Sequence, residues 1–271
     1  MPGKAVRILA VGAVATTLGL SCAAMTTGDA AAADLAAGQT AGPDTGGWQI
    51  DIASYGWFSG FKGKTATLPP LPAADVDLSF GDILSNLDGA LMGVAYARND
   101  RLILYSDLMY SRLSTSENFA TSISTSLKLS TTSLIASAGI GYNLVDDPSY
   151  AIDLLAGARL YNVDTKATLS LPSIGISKSG NTNETWADPM VGVRFNARIT
   201  DSLYLTSWAF AGGFDVGSKF SWDLFGGVGY KIDEKYSLIV GYRGLGVDYT
   251  HGDYVYDVVQ QGPIAGLKVH F

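Results

Sequence analysis

Sulfur and charge are both scarce in this sequence. Among 271 residues there is one cysteine, Cys22, so nothing downstream of it can form a disulfide or a thiolate metal site. Charged residues make up 16%, against the ~25% usual for soluble domains. The charge present leans acidic, with a formal net of -7 and a pI near 4.7. That argues against nucleic acid, which needs a basic footprint. Histidine occurs twice, at His251 and His270. Beyond the amino terminus no run approaches the ~20 apolar residues of a membrane helix, although 47% of the chain is hydrophobic. High apolar content without long apolar runs suits strands that show lipid one side chain in two.

The amino-terminal segment has the layout of a secretory leader. Lys4 and Arg7 precede an apolar run from Ile8 to Leu20, and small residues follow. The expected division is a signal peptide over 1–33, a flexible Ala-, Gly- and Thr-rich lead-in over 34–47, and one domain over 48–271. Gly19-Leu20-Ser21-Cys22 is a poor match to a lipid-attachment site.

A short pattern recurs through that domain. Gly93-Val94-Ala95-Tyr96, Gly139-Ile140-Gly141-Tyr142, Gly192-Val193-Arg194-Phe195 and Gly227-Val228-Gly229-Tyr230 each precede a polar turn. The fifth copy ends the chain as Gly266-Leu267-Lys268-Val269-His270-Phe271. The intervals of 46, 53, 35 and 39 residues are too uneven for a solenoid. They suit hairpins with short turns at one end and variable loops at the other. Strands are expected over Trp48–Phe61, Leu102–Ser116, Ala151–Leu171, Leu203–Phe214 and Tyr236–Thr250, alternating with the five repeats. The longer connections then cover Lys62–Asp88, Glu117–Thr125, Pro172–Asn183, Asp215–Lys219 and His251–Gln261. The predicted fold is all-β, a transmembrane antiparallel up-and-down β-barrel of ten strands, with eight or twelve as alternatives. Both termini fall at the short-turn rim.

Strand parity assigns faces. Val94, Ile140, Val193, Val228, Leu267 and Val269 would meet lipid, and Tyr96, Tyr142, Phe195, Tyr230 and Phe271 would form an aromatic girdle. The opposite face carries Asp107, Asp153, Arg159, Arg194, Asp223, Arg243 and Lys268, with Arg198, Lys231 and His270. The first seven form a candidate charge network across the lumen. A soluble sandwich would have to bury the same charges at several kcal/mol each unless paired. Small barrels have interiors barely wider than their own side chains, so a plugged lumen is favoured over a narrow solute path in which the same charges set selectivity.

The terminal strand ending on Phe271 resembles the sorting signal of bacterial outer-membrane barrels. The stretch from Asp188 to Tyr249, with Ala211-Gly212-Gly213-Phe214 and Gly241-Tyr242-Arg243, looks like a widespread, largely uncharacterised family of proteobacterial outer-membrane β-barrel proteins. Val76-Asp77-Leu78-Ser79-Phe80-Gly81-Asp82-Ile83-Leu84, then Asn86-Leu87-Asp88, resembles the same family's first loop. The resemblance implies a fold and a location in the cell outer membrane, without a defined activity. Phe210 stands where the family is expected to carry an inward acid.

The chemistry-bearing residues are few. His251, beside Asp248, Tyr249 and Asp253, is the best candidate for a general base, and a solvated loop residue is the simpler reading. Asp248, Asp253 and Asp257 do not match a calcium-loop spacing. In the first loop, Pro69-Pro70-Leu71-Pro72 reads as stiff and extended. Ser79 is placed to cap a short helix that puts Phe80, Ile83, Leu84 and Leu87 on one face, a possible lid. The sequence therefore predicts a non-enzymatic envelope component without catalytic residues, cofactor or metal. Its expected partners are outer-membrane lipid, lipopolysaccharide, the barrel-assembly machinery through the terminal strand, and small solutes if the lumen conducts.

Overall fold

The computed structural model describes residues 47–68, 72–119, 125–171 and 176–271. The expected leader, nearly all of the lead-in and Pro69-Pro70-Leu71 lie outside them.

Alternation builds the strands. In Leu102–Phe119, Leu102, Leu104 and Leu108 are exposed, whereas Ile103, Tyr105, Asp107 and Met109 are buried. A period of two places these sets on opposite faces. In chain order the elements are β1 (Gln49–Trp57), β2 (Gly60–Ala66), β3 (Ala74–Leu78), a short helix α1 (Phe80–Ser85), β4 (Leu87–Asn99), β5 (Leu102–Phe119) and β6 (Thr125–Asp146). Then come β7 (Tyr150–Leu171), β8 (Ile176–Arg198), β9 (Leu203–Gly212), β10 (Phe220–Lys231), β11 (Tyr236–His251) and β12 (Tyr254–His270). Ten of the strands close an antiparallel barrel, as β12 pairs back onto β1, while β2 and β3 extend from the outer part of β12.

Two prolines mark places where pairing changes hands or stops. The inner part of β12 pairs with β1 up to Trp57↔Ile264, and the outer part pairs with β2 from Gln261↔Gly60. Pro263, which has no N–H to donate, sits at that break, and its carbonyl accepts from Phe58 N at 2.8 Å. Pro189 stands beside the last β8–β9 pair, Met190↔Gly212, and its carbonyl accepts from Gly213 N.

Strand lengths are unequal. A tilted strand crosses a bilayer in ~9–11 residues. β9 has 10 residues and β10 has 12, but β6, β7 and β8 have 22, 22 and 23. Their outer halves therefore stand above the rim as a sheet. Within the expected loops Glu117–Thr125 and Pro172–Asn183, the described residues 117–119, 125 and 176–183 are strand. His251–Gln261 likewise reduces to a turn at Gly252-Asp253. Ser177, Ser179, Asn181 and Asn183 are exposed on a stretch exposed almost throughout, so no apolar alternation announces strand over 176–183.

The barrel is apolar outside and charged inside. Leu104, Ile140, Leu154, Val193, Leu238 and Val240 are exposed large hydrophobics, while Asp107, Asp153, Arg159, Asp223 and Arg243 are buried. Burying one such aliphatic side chain is worth about 1.5–3 kcal/mol, so a belt of them is stable only against hydrocarbon.

Inward aromatic rings lie flat where the facing wall is glycine. A Cβ on Gly229 would overlap the Tyr204 ring, and one on Gly139 or Gly157 would meet Tyr105. Phe210 lies on Gly192 in the same way, and Phe225 on Gly227 and Gly241. These glycines let bulky neighbours pack closely against the wall.

The helix α1 is capped as expected. Ser79 Oγ accepts from Asp82 N, and Asp82 Oδ2 accepts from Ser79 N at 3.0 Å. Ile83 is buried in the main core, with Phe80 and Leu87 packed against it. Leu84 departs from the expected face and is exposed. Ile83→Ser is therefore expected to cost the first loop about 2–4 kcal/mol, and Leu84→Ser within about 0.5 kcal/mol. Amide exchange over 74–87 checks both values, and equal effects would refute the assigned facing.

Candidate functional site

Four of the predicted lumen charges meet at mid-barrel. Arg243 is the hub and is fully buried. Its Nε donates to Asp223 Oδ1 at 3.0 Å, its Nη2 to Asp223 Oδ2 at 2.7 Å and to Asp107 Oδ2, and its Nη1 to Tyr55 Oη at 2.7 Å. Tyr55 in turn donates to Asp107 Oδ1 at 2.6 Å. Arg159 donates from Nη2 to Asp223 Oδ2 at 2.6 Å and from Nε to Ser137 Oγ at 2.7 Å. Trp208 Nε1 completes the shell of Asp223 at 3.1 Å. Two guanidiniums balance two carboxylates, and the ligating side chains come from β1, β5, β6, β7, β9, β10 and β11. Such a network is stable only when every polar atom is matched.

The other three predicted charges lie nearer the short turns, in separate clusters. Arg194 Nη1 stands 3.5 Å from Asp153 Oδ2, and its guanidinium lies over the Tyr96 ring at 3.8 Å. Asp153 also accepts from Tyr96 Oη and from Asn143 Nδ2. Lys268 Nζ stands 3.4 Å from Asp51 Oδ2, whose Oδ1 is 2.8 Å from His270 Nδ1.

Tyr96 corrects the expected girdle. Tyr142, Phe195, Tyr230 and Phe271 are exposed, whereas Tyr96 is buried with its hydroxyl on Asp153. Val94 follows the same parity and packs inward on the core. The signal lay two residues on. Arg98 shares the parity of Tyr96, pairs with Asp146 and marks an inward face, leaving Ala95 and Ala97 to lipid. Tyr55, Trp208 and Asp51 were not singled out from sequence. Asp51, Ala53, Tyr55 and Trp57 alternate along β1 and were legible by the same rule.

Phe210 stacks near Tyr105, with ring centroids 5.5 Å apart, opposite Asp223 in the β9–β10 register. An apolar ring thus occupies the place expected of an acid.

The loop-end half of the lumen is aromatic. Trp186 lies between Tyr249, at 4.0 Å and 5° between planes, and Tyr161, at 4.9 Å and 10°. Glu184 Oε1 accepts from Tyr249 Oη at 2.7 Å and stands 2.9 Å from His251 Nδ1. Tyr249 lies past the first eleven residues of β11, outside the membrane span. Burial, then the hydrogen bond to Glu184, pushes its phenol up, so it stays a donor at neutral pH. The partner of His251 is thus Glu184, and Asp248 instead stands 3.6 Å from Lys219 Nζ. Among the described residues no group of three or more His, Cys, Asp or Glu is placed to hold a metal ion.

No protein-family profile matches the sequence, and no curated protein matches it. Solved structures do. The outer membrane protease OmpT from Escherichia coli aligns at 12% identity over 84% of this chain and 98% of its own, with a TM-score of 0.53. The translocator domain of the autotransporter NalP from Neisseria meningitidis aligns at 11% identity over 84% and 90%, with a TM-score of 0.48. The likeness to OmpT establishes the fold, an outer-membrane-type β-barrel.

Proposed function

We propose that the protein is an integral outer-membrane barrel with a plugged lumen, a non-enzymatic envelope component that acts through its outer end. The central observation is the neutral hub of Arg243, Asp223, Asp107 and Arg159. It spans the barrel at mid-height, with every member under 10% exposed. Above it, Trp57, Phe61, Tyr161 and Trp186 fill the outer half. Below it, the four exposed aromatics at the turn end are suited to a membrane interface. The turn end would face the periplasm, and the raised sheet of β6, β7 and β8 would face outward toward lipopolysaccharide or a surface partner. The assembly machinery would read the terminal strand that closes onto β1.

The test is single-channel recording on the refolded protein in a planar bilayer at high salt. Wild type is expected to be silent while folded and inserted. Discrete reproducible steps would replace this reading with the narrow-channel one.

A further inference from the structure

A cavity of about 100 Å³ lies in the lumen between the hub and the turn end. Ala53, Val94, Leu155, Phe210, Phe225 and Ile264 contribute its apolar wall. It persists because rings that would otherwise project into it, Tyr204 and Phe210 among them, lie against glycine.

Its floor and its mouth differ in charge. The floor is the hub, where the two oxygens of Asp223 accept four N–H groups and no charge is left over. The mouth carries Arg194 and Lys268, and Lys231 lies close enough to Lys268 and Arg198 to feel both charges. Asp51 lines the mouth beside them. Asp51 is divided between Lys268 and His270, and Asp153 among Tyr96, Asn143 and Arg194. Among the described residues neither Arg198 nor Lys231 has a carboxylate within 4.0 Å.

An apolar void behind a cationic mouth is complementary to one kind of molecule. We propose that the cavity binds a small anionic amphiphile, with one apolar ring or short chain in the void and its carboxylate between Lys268 and Arg194. The size fits. A water needs ~10–15 Å³ on this measure, and an engineered cavity of ~150 Å³ takes benzene. The void therefore holds most of one ring, and the acid projects into the mouth. The floor supplies no competing charge, so orientation is set by the mouth alone.

Ligand-observed fluorine NMR on the protein refolded into zwitterionic nanodiscs tests this, with empty discs as reference. The probes are 4-fluorobenzoate, 4-fluorobenzyl alcohol and 4-fluorobenzylammonium, which share a ring and differ in charge. The benzoate is expected to bind about ten-fold more tightly than the ammonium. Lys268→Gln should weaken the benzoate about five-fold and leave the alcohol unchanged. Ala53→Phe should abolish both by filling the void, and Thr206→Met on another wall serves if that variant fails to fold. Three results would each overturn the proposal: a response no greater than that of empty discs, binding that neither filling variant reduces, or a preference for the ammonium. The first two would mean that the void holds only water.

Discussion

Arg243→Ala is expected to destabilise the barrel by about 3–5 kcal/mol, the largest loss of any single substitution in the lumen. The substitution removes four donor contacts at once and strands Asp107, whose only other bond among the described residues is the hydroxyl of Tyr55. Asp223 retains Arg159 and Trp208. The cost should therefore come mainly from one uncompensated carboxylate rather than from the loss of attraction itself. That distinction is testable. Combining Arg243→Met with Asp107→Leu removes one charge of each sign and should recover most of the loss, because a buried pair is often replaceable by well-packed apolar groups. Urea unfolding of the refolded barrel in vesicles, followed by tryptophan fluorescence, gives both values. A loss under about 1 kcal/mol for the single variant would mean that water reaches the hub and solvates Asp107. The plugged-lumen reading would fall with it.

The parts of this molecule that sequence made legible are those with unlike media on the two faces of a strand. In β5, Leu104 and Leu108 meet one medium and Tyr105 and Asp107 the other, and the hydrophobic pattern has a period of two. The same contrast places Asp153, Arg159, Arg194, Asp223 and Arg243 inside from sequence alone. Where the contrast vanishes, so does the signal. The stretch 176–183 in β8 is water-exposed along nearly its whole length, reads as Ser, Thr and Asn, and was expected as loop. Tyr96 failed for another reason. The repeat Gly-X-X-aromatic is a local likeness, whereas facing is set by what the side chain meets. Here an inward carboxylate and guanidinium hold a ring that sequence similarity had assigned to lipid. Which charges pair also escaped the sequence. Parity gives the face of a residue but not its height, and height separates the hub from the Arg194 and Lys268 clusters.

Trp186 was not singled out from sequence, yet its removal should have the second-largest effect. Its ring is stacked on both faces by Tyr161 and Tyr249, and its Nε1 donates to Ser218 Oγ at 2.9 Å. Ser218 N in turn donates to Asp188 Oδ1 at 2.6 Å, which fastens the β9–β10 connection to β8. Trp186→Ala should therefore cost about 3–5 kcal/mol, with each lost ring pair accounting for about 0.5–1.5 kcal/mol beyond burial. The loss should be local, since the hub lies below this layer and keeps its own bonds. On intact membranes, cleavage by trypsin after Lys219 is expected to accelerate by roughly 100-fold, because the connection opens when its Ser218 anchor goes. The turn-end half should remain folded. Trp222→Ala is the matched control. Trp222 lies on Gly244 and Gly246 on the outward face and, among the described residues, its side chain makes no hydrogen bond to the connection, so Lys219 should stay protected. Equal cleavage in the two variants would mean that general loosening, rather than the Trp186–Ser218 anchor, controls this end of the barrel.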